Sequence, residues 1–201
     1  GILDNPKHSE PGIFVCMDES PRDLIREAAV FGWNLERLIE LKQLIIIDAF
    51  SGRLGLKPDL PYAIPIGKFD ADTIKARINE AQNDISAIRL VVDPVSALLD
   101  GLDGQSRRKA VLSLAALLSR MSLTTYLNSE LREAGIAIER YVAHGVIRLT
   151  FDEAHLSDER RLSPTATEIG RRLRIVKMRE TAHSMSSIPY EITTKGIKLK
   201  A

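Results

Sequence analysis

The chain has 201 residues and is 44% hydrophobic, which is enough for one globular domain with a substantial core. It carries 28 Lys and Arg against 27 Asp and Glu, so its net charge of +1 gives no global attraction to nucleic acid or to a membrane surface. Cys16 has no second cysteine as a disulfide partner, and no apolar stretch reaches the ~18 residues that span a bilayer. A soluble protein of the reducing cytoplasm, without a membrane partner, is therefore expected.

Short β-rich segments alternate with helical patterns in the first two thirds of the chain, which is typical of a parallel sheet covered by helices. The predicted strands are residues 13–17, 44–48, 89–93 and 123–128. The predicted helices are residues 21–31, 35–41, 70–85 and 105–121. Residues 51–68 are interrupted by Gly and Pro and are predicted to form one long loop.

The pattern changes from Val142 onward. Four segments there have the pattern of antiparallel strands, at residues 142–151, 172–179, 189–193 and 197–200. The connection from Asp152 to Gly170 has many charges and few apolar residues, which predicts a mobile surface loop.

Polar residues lie at the ends of three predicted parallel strands. Asp18 and Glu19 follow the first strand, Asp93 ends the third, and Ser129 and Glu130 follow the fourth. Open α/β sheets bind ligands at the carboxyl edge of their strands, where carboxylates can hold Mg²⁺ or activate water. Each group also has a structural interpretation: a solvated turn before a helix for the first pair, a helix N-cap for Asp93, and ordinary solvent-exposed polar side chains for the last pair.

Lys177 and Arg179 form a basic pair near the C-terminus. They lie two residues apart, so on a strand their side chains would point to the same face. A Lys supplies a compact charge and an Arg supplies a bidentate fork, and together they suit phosphate oxygens. The alternative is a solvated edge strand, on which basic residues discourage aggregation.

Four blocks of sequence, in this order, resemble the KaiC-type ATPases of the RecA superfamily. They are Phe14 to Pro21, Phe31 to Leu35, Val91 to Pro94 and Lys177 to Ser184. The resemblance implies one domain over residues 1–201, with an α/β RecA-like sheet that is mainly parallel, flanked by helices and followed by antiparallel C-terminal strands. It also implies that ATP and Mg²⁺ bind between neighbouring subunits of a homo-oligomeric ring, which is usually a hexamer.

The resemblance gives roles to the polar residues. It places the water-activating base at Asp18 or Glu19 without choosing between them, and it places Asp93 where the family holds Mg²⁺. It implies that Ser129 and Glu130 sense the γ-phosphate. It further implies that the basic pair Lys177 and Arg179 reaches into the neighbouring subunit's site. Three more residues would lie near the adenine and sugar: Met178, Thr181 and His183.

The phosphate loop of the family is the largest departure. No Gly-x-x-x-x-Gly-Lys-Thr/Ser pattern occurs, since Gly67-Lys68 is followed by Phe69 and Tyr62 stands where the first Gly is required. The chain is therefore expected to be incomplete at its N-terminus, with its first core strand and phosphate loop encoded upstream of Gly1.

Two smaller departures concern single positions. Glu180 stands where the family commonly has Gly, which predicts a stiffened or mis-aimed turn. Glu139 to Val142 stand in place of the adjacent Ser and Thr phosphoacceptors of the clock protein's second domain. A circadian phosphorylation cycle is therefore not expected.

Three functions are weighed on these grounds. The leading hypothesis is a KaiC-like ATPase domain that hydrolyses ATP at subunit interfaces for regulation or signalling, with an unknown regulatory protein partner. The main rival is a non-catalytic interaction module that has lost ATP binding. A recombination or DNA-repair accessory ATPase is the third, with DNA as a less favoured partner. The presence of a phosphate loop in the natural protein would favour the ATPase over the non-catalytic module, and salt-dependent DNA binding tests the third hypothesis.

Overall fold

The computed structural model of the protein describes residues 10–58, 60–130, 139–152 and 170–200. The chain forms two compact units, Gly1–Val142 and Ala143–Ala201. Among the described residues there is no helix with the length and apolar surface that a membrane crossing requires.

A four-stranded parallel sheet forms the centre of the first unit. Its strands are β1 (Gly12–Cys16), β2 (Leu44–Asp48), β3 (Arg89–Asp93) and β4 (Thr124–Leu127), in the spatial order β2-β1-β3-β4. The apolar runs in the sequence become the buried strands, and side chains such as Val15, Ile47 and Val92 are completely buried. The four predicted parallel strands are confirmed.

Helices connect and cover these strands. They are α1 (Pro21–Val30), α2 (Leu35–Glu40), α3 (Phe50–Leu54), α4 (Ala71–Ile85), a 3₁₀ helix (Val95–Leu99), α5 (Gly104–Arg120) and α6 (Glu139–Val142). The first begins where the sequence predicts, because Ser20 Oγ accepts a hydrogen bond from the Asp23 backbone N–H at 3.2 Å and Pro21 occupies the first turn. It stops before Gly32, which adopts a positive φ of 77°.

The long helix α4 shows how the helices bury one face. Asp70 caps it by accepting a hydrogen bond from the Thr73 backbone N–H at 2.8 Å. Ile74, Ile78 and Ala81 then recur at helical spacing, are completely buried, and join the core cluster beneath the sheet. The helix contacts both β1 and β2, so it covers one face of the sheet at these two neighbouring strands.

The segment 51–68 is more ordered than its Gly and Pro content predicts. Its start belongs to α3, where the buried Asp48 carboxylate accepts a hydrogen bond from the Ser51 backbone N–H at 2.9 Å. Farther along, Ala63 forms a parallel bridge with Asp48, and Ile64 is completely buried. The prediction of one long loop is therefore wrong for this part of the segment, because its apolar residues return to the core.

The second unit is an antiparallel sheet. Its strands are β5 (Gly145–Asp152), β6 (Gly170–Met178), β7 (Ser187–Thr193) and β8 (Gly196–Leu199), paired in chain order. This confirms the predicted change from parallel to antiparallel strands. The loop predicted between Asp152 and Gly170 falls on residues 153–169, which lie outside the described residues.

Candidate nucleotide site

A cleft of about 290 Å³ lies at the carboxyl edge of the parallel sheet. Four residues predicted from the sequence line it together: Asp18, Asp93, Ser129 and Glu130. Two further residues, Pro94 and Asn128, complete the lining. The structure therefore gathers most of the predicted polar strand ends of this unit around one space.

The register of the parallel strands explains why these ends meet. Cys16, at the end of β1, lies beside Asp93, at the end of β3. Backbone hydrogen bonds continue just past the strands, from Met17 N–H to the Asp93 carbonyl and from Asn128 N–H to the Val92 carbonyl, both at 2.9 Å. The residues that follow the strands are thus held by the sheet itself.

Asp93 is oriented by a neighbouring amide. The Asn128 side chain donates a hydrogen bond from Nδ2 to Asp93 Oδ1 at 3.0 Å. Asp93 does not cap a helix, contrary to the structural interpretation of the sequence, because Pro94 occupies the N-cap position of the following 3₁₀ helix, which has no side-chain cap. Its carboxylate is therefore available to the cleft. The sequence gives no signal for Asn128, which is only the last residue of a predicted strand.

Asp18 forms an ion pair that the sequence did not reveal. The Arg53 guanidinium, at the end of the short helix α3, contacts Asp18 Oδ1 and also donates from its other terminal nitrogen to Asp100 Oδ2 at 3.0 Å. It lies 5.8 Å from the centre of the Phe69 ring as well. One carboxylate of the cleft is thus balanced by a cation fixed in the same unit.

Glu19 has a different electrostatic environment from its neighbour Asp18. Burial raises the pKa of Glu19, and the negative charges of Glu27, Asp93 and Asp23 raise it further. Glu19 is not among the residues that line the cleft. Its raised proton affinity nevertheless suits a group that must accept a proton from water.

The residues of the cleft fit a Mg²⁺ ion that is held largely by other ligands. In the described ranges, no three His, Cys, Asp or Glu side chains are grouped closely enough to hold a metal ion by themselves. Mg²⁺ usually needs only one or two protein carboxylates, because water and substrate phosphates complete its octahedron. Asp93, with one oxygen fixed by Asn128, provides such a carboxylate at the cleft.

The predicted basic pair lies in the second unit, on and just after β6. The half-buried Lys177 donates a hydrogen bond from Nζ to the Ala143 carbonyl at 2.7 Å. Burial lowers the pKa of Lys177, and the charge of Arg179 lowers it further. The strand ends at Met178, one residue earlier than predicted, and the Arg179 backbone N–H donates to the His144 carbonyl at 2.8 Å. Strand alternation therefore does not fix the direction of the Arg179 side chain.

The turn after β6 carries the remaining predicted residues. Glu180 adopts a positive φ of 58°, a conformation that favours glycine, at the position where a family Gly was expected. Thr181 follows in the exposed part of the turn, and its carbonyl lies 3.1 Å from His183 Nδ1. Because a carbonyl only accepts, that nitrogen must carry the ring proton in this contact. The turn thus keeps the left-handed geometry despite the Glu side chain.

Comparison with known proteins decides the family. A family model described as the KaiC ATPase matches residues 4–201, which includes the described parts of both units. The chain belongs to the KaiC family of ATPases. A solved structure of a KaiC-like protein from the archaeon Pyrococcus horikoshii has a TM-score of 0.75 and 31% identity, and the match covers 98% of this chain and 77% of that one. The predicted α/β RecA-like fold is confirmed.

Curated relatives agree with this assignment. The circadian clock oscillator protein KaiC of a Nostoc species is 31% identical over 196 residues, which are 94% of this chain and 34% of that protein. A UPF0273 protein of Methanopyrus kandleri is 32% identical over 198 residues, which are 96% of this chain and 73% of the relative. The chain therefore spans about a third of the length of the KaiC clock proteins that it resembles.

Proposed function

We propose that this chain is the hydrolytic part of a KaiC-family ATPase, which binds and hydrolyses ATP at the interfaces between subunits of a ring, with six subunits as the expected number. The observation that carries this proposal is the cleft at the carboxyl edge of the sheet, where Asp18, Asp93 and Glu130 converge. Such an edge is where open α/β sheets bind their ligands. The reaction would drive a conformational change that a regulatory protein partner reads.

Glu19 is proposed as the base, with Asp18 as its neighbour in the cleft wall. A base in phosphoryl transfer orients the attacking water and accepts its proton, so a carboxylate with increased proton affinity is suited to the role. The pKa of Glu19 is raised by burial and by nearby negative charges. The Asp18 carboxylate is instead engaged in the ion pair with the Arg53 guanidinium, which leaves Glu19 as the carboxylate of this turn that is proposed to act on water.

Asp93 is proposed as the protein ligand of Mg²⁺. When bound, the ion would neutralise negative charge on the phosphate oxygens. The hydrogen bond from Asn128 holds the Asp93 carboxylate in one orientation. Ser129 and Glu130, on the same cleft wall, are proposed to detect the terminal phosphate. The phosphate-loop pattern does not occur in these 201 residues, and we propose no backbone cradle for the ATP phosphates among them.

The second unit is proposed to act on the site of a neighbouring subunit. Lys177 and Arg179 would contact the phosphates there, with Met178, Thr181 and His183 near the base and sugar. The charge distribution supports this division. Residues 1–142 carry 17 Lys and Arg against 20 Asp and Glu, a net charge of −3, whereas residues 143–201 carry 11 against 7, a net charge of +4. Opposite charges favour contacts between unlike units of successive copies.

The base assignment is tested with two isosteric variants. E19Q and D18N should be made separately in the full-length protein, with E36Q, an exposed glutamate of α2, as the matched control. We expect E19Q to lower kcat by roughly 10²-fold or more, because general-base catalysis contributes about that much. ATP affinity should change little, since cations supply the ground-state binding.

The outcomes separate the competing functions. A larger loss of kcat in D18N than in E19Q would transfer the role of base to Asp18. Near-normal turnover in both variants would leave the carboxylates without a catalytic role. Absence of ATP binding and turnover in the wild-type protein would favour the non-catalytic interaction module instead. DNA binding that weakens steeply with salt would favour the recombination accessory ATPase.

A further inference from the structure

We propose that Arg53 is a positioning residue for the hydrolytic site, which fixes the turn between β1 and α1 and thereby the two carboxylates that this turn carries. The inference rests on the function proposed above. Arg53 lies in α3, outside every sequence block that resembles the family, and it does not line the cleft. It acts through Asp18 and the backbone beside it.

The contacts of Arg53 join three connections at the carboxyl edge of the sheet. One terminal nitrogen contacts Asp18 Oδ1 and lies 3.5 Å from the Met17 carbonyl, both in the turn after β1. The other terminal nitrogen donates to Asp100 Oδ2 at 3.0 Å, just after the 3₁₀ helix that follows β3. The guanidinium also lies against the Phe69 ring, before α4. A planar fork with several donors can hold all of these groups at once, whereas a Lys ammonium cannot.

The short helix beneath Arg53 is itself held rigidly. The buried Asp48 carboxylate accepts the Ser51 backbone N–H at 2.9 Å at the start of α3. Gly52 packs so closely on Ile64 that an added Cβ would lie 2.4 Å from the Ile64 carbonyl oxygen. The helix ends at Gly55, whose φ is 72°. Arg53 therefore extends from a fixed base, which is what a residue that positions others requires.

The effect of Arg53 on stability should be modest, and its effect on the reaction should be larger. Its side chain is 30% exposed, and ion pairs at such sites contribute little to the free energy of unfolding. Glu19 is the next residue after Asp18, so loosening of this turn displaces the proposed base. Displacement of a catalytic group by about 1 Å can cost on the order of 10²-fold in rate.

The test compares R53Q and R53K with wild type in the full-length protein, using ATP hydrolysis and chemical unfolding as readouts. We expect R53Q to lower kcat by about tenfold or more with little change in KM. R53K retains the charge but not the fork, so it should restore less than half of the lost activity. R37Q removes an exposed arginine that pairs with Glu40 at 3.1 Å, and this control should leave kcat unchanged.

A second variant keeps the inference testable if R53Q fails to fold. D100N weakens the contact between Asp100 and the second terminal nitrogen of Arg53 but leaves the Asp18 side chain unchanged, and it should lower kcat by about threefold. Where R53Q folds, a double-mutant cycle between R53Q and D18N should also show coupling in kcat beyond the error of the four measurements, because Arg53 acts through Asp18.

Each result decides for or against the inference. Full kcat in R53Q, or in D100N if R53Q is unfolded, would overturn it while the proposed ATPase function stands. Additive effects of R53Q and D18N on kcat would show that Arg53 does not act through Asp18, and this result would also overturn the inference. Absence of turnover in the wild-type protein would overturn the proposed function and this inference together.

Discussion

The surroundings of Glu19 disfavour its ionised form, and the same surroundings increase its affinity for a proton. Burial and the negative charges of Glu27, Asp93 and Asp23 raise its pKa, so the native protein binds a proton at this site more tightly than the unfolded chain does. Stability from this group is therefore fully present below its ordinary pKa of 4.5 and is lost as the pH rises through the raised native value. At neutral pH, where a base must be ionised, the charged Glu19 lowers the free energy of unfolding of the native protein.

The first prediction concerns the pH dependence of E19Q stability. Gln cannot ionise, so E19Q should be more stable than wild type at pH 7, and the difference should vanish as the pH falls below the ordinary Glu value of 4.5. Urea unfolding midpoints at several pH values measure this difference. E36Q, which alters an exposed glutamate of α2, provides the background. A wild-type protein that is the more stable of the two at pH 7 would refute the assigned environment of Glu19.

Sequence alone could predict those candidate site residues that follow apolar runs. Asp18, Glu19 and Asp93 directly follow or end predicted strands, and parallel topology then brings their ends to one edge. Arg53 gave no local signal, because its carboxylate partners Asp18 and Asp100 lie 35 and 47 residues away along the chain. Such contacts depend on tertiary structure, which no local pattern encodes.

At the level of elements, regular helices and strands were predictable and the short helix α3 was not. Hydrophobic spacing and side-chain caps mark α1 and α4 in the sequence. The N-cap residue of α3 is Ala49, whose side chain cannot cap the helix, and Gly52 and Gly55 give the segment the composition of a loop. Tertiary contacts stabilise its helical form, among them the close approach of Gly52 to Ile64 and the hydrogen bond from Ser51 N–H to Asp48.

The packing of Gly52 leads to a prediction about α3. An added Cβ at this position would lie 2.4 Å from the Ile64 carbonyl oxygen and 2.9 Å from its Cβ, so backbone must move. We expect G52A to destabilise the protein by about 1–3 kcal/mol. Gly104, at the start of α5, has no atom within 4 Å of such a Cβ, and G104A should therefore be neutral or slightly stabilising. An unchanged urea midpoint for G52A would show that the close packing is absent in solution.

On the scale of the whole molecule, the acidic and the basic residues of the proposed site belong to different units. The proposed base and metal ligand lie in the first unit, which bears a net negative charge, and the basic pair lies in the second, which bears a net positive charge. The overall charge of +1 conceals this asymmetry. A head-to-tail ring would place unlike units of successive copies together, which is the arrangement that the shared site requires.

The central claim is that one subunit's carboxylates and the next subunit's basic pair form one ATPase site. It is tested most directly by mixing D18N/E19Q subunits with K177M/R179Q subunits, each inactive alone, under conditions that permit verified co-assembly. Random assembly in equal amounts should restore about a quarter of wild-type kcat, because one interface in four then contains both intact halves. Absence of any restored activity in co-assembled rings would contradict a site shared between subunits.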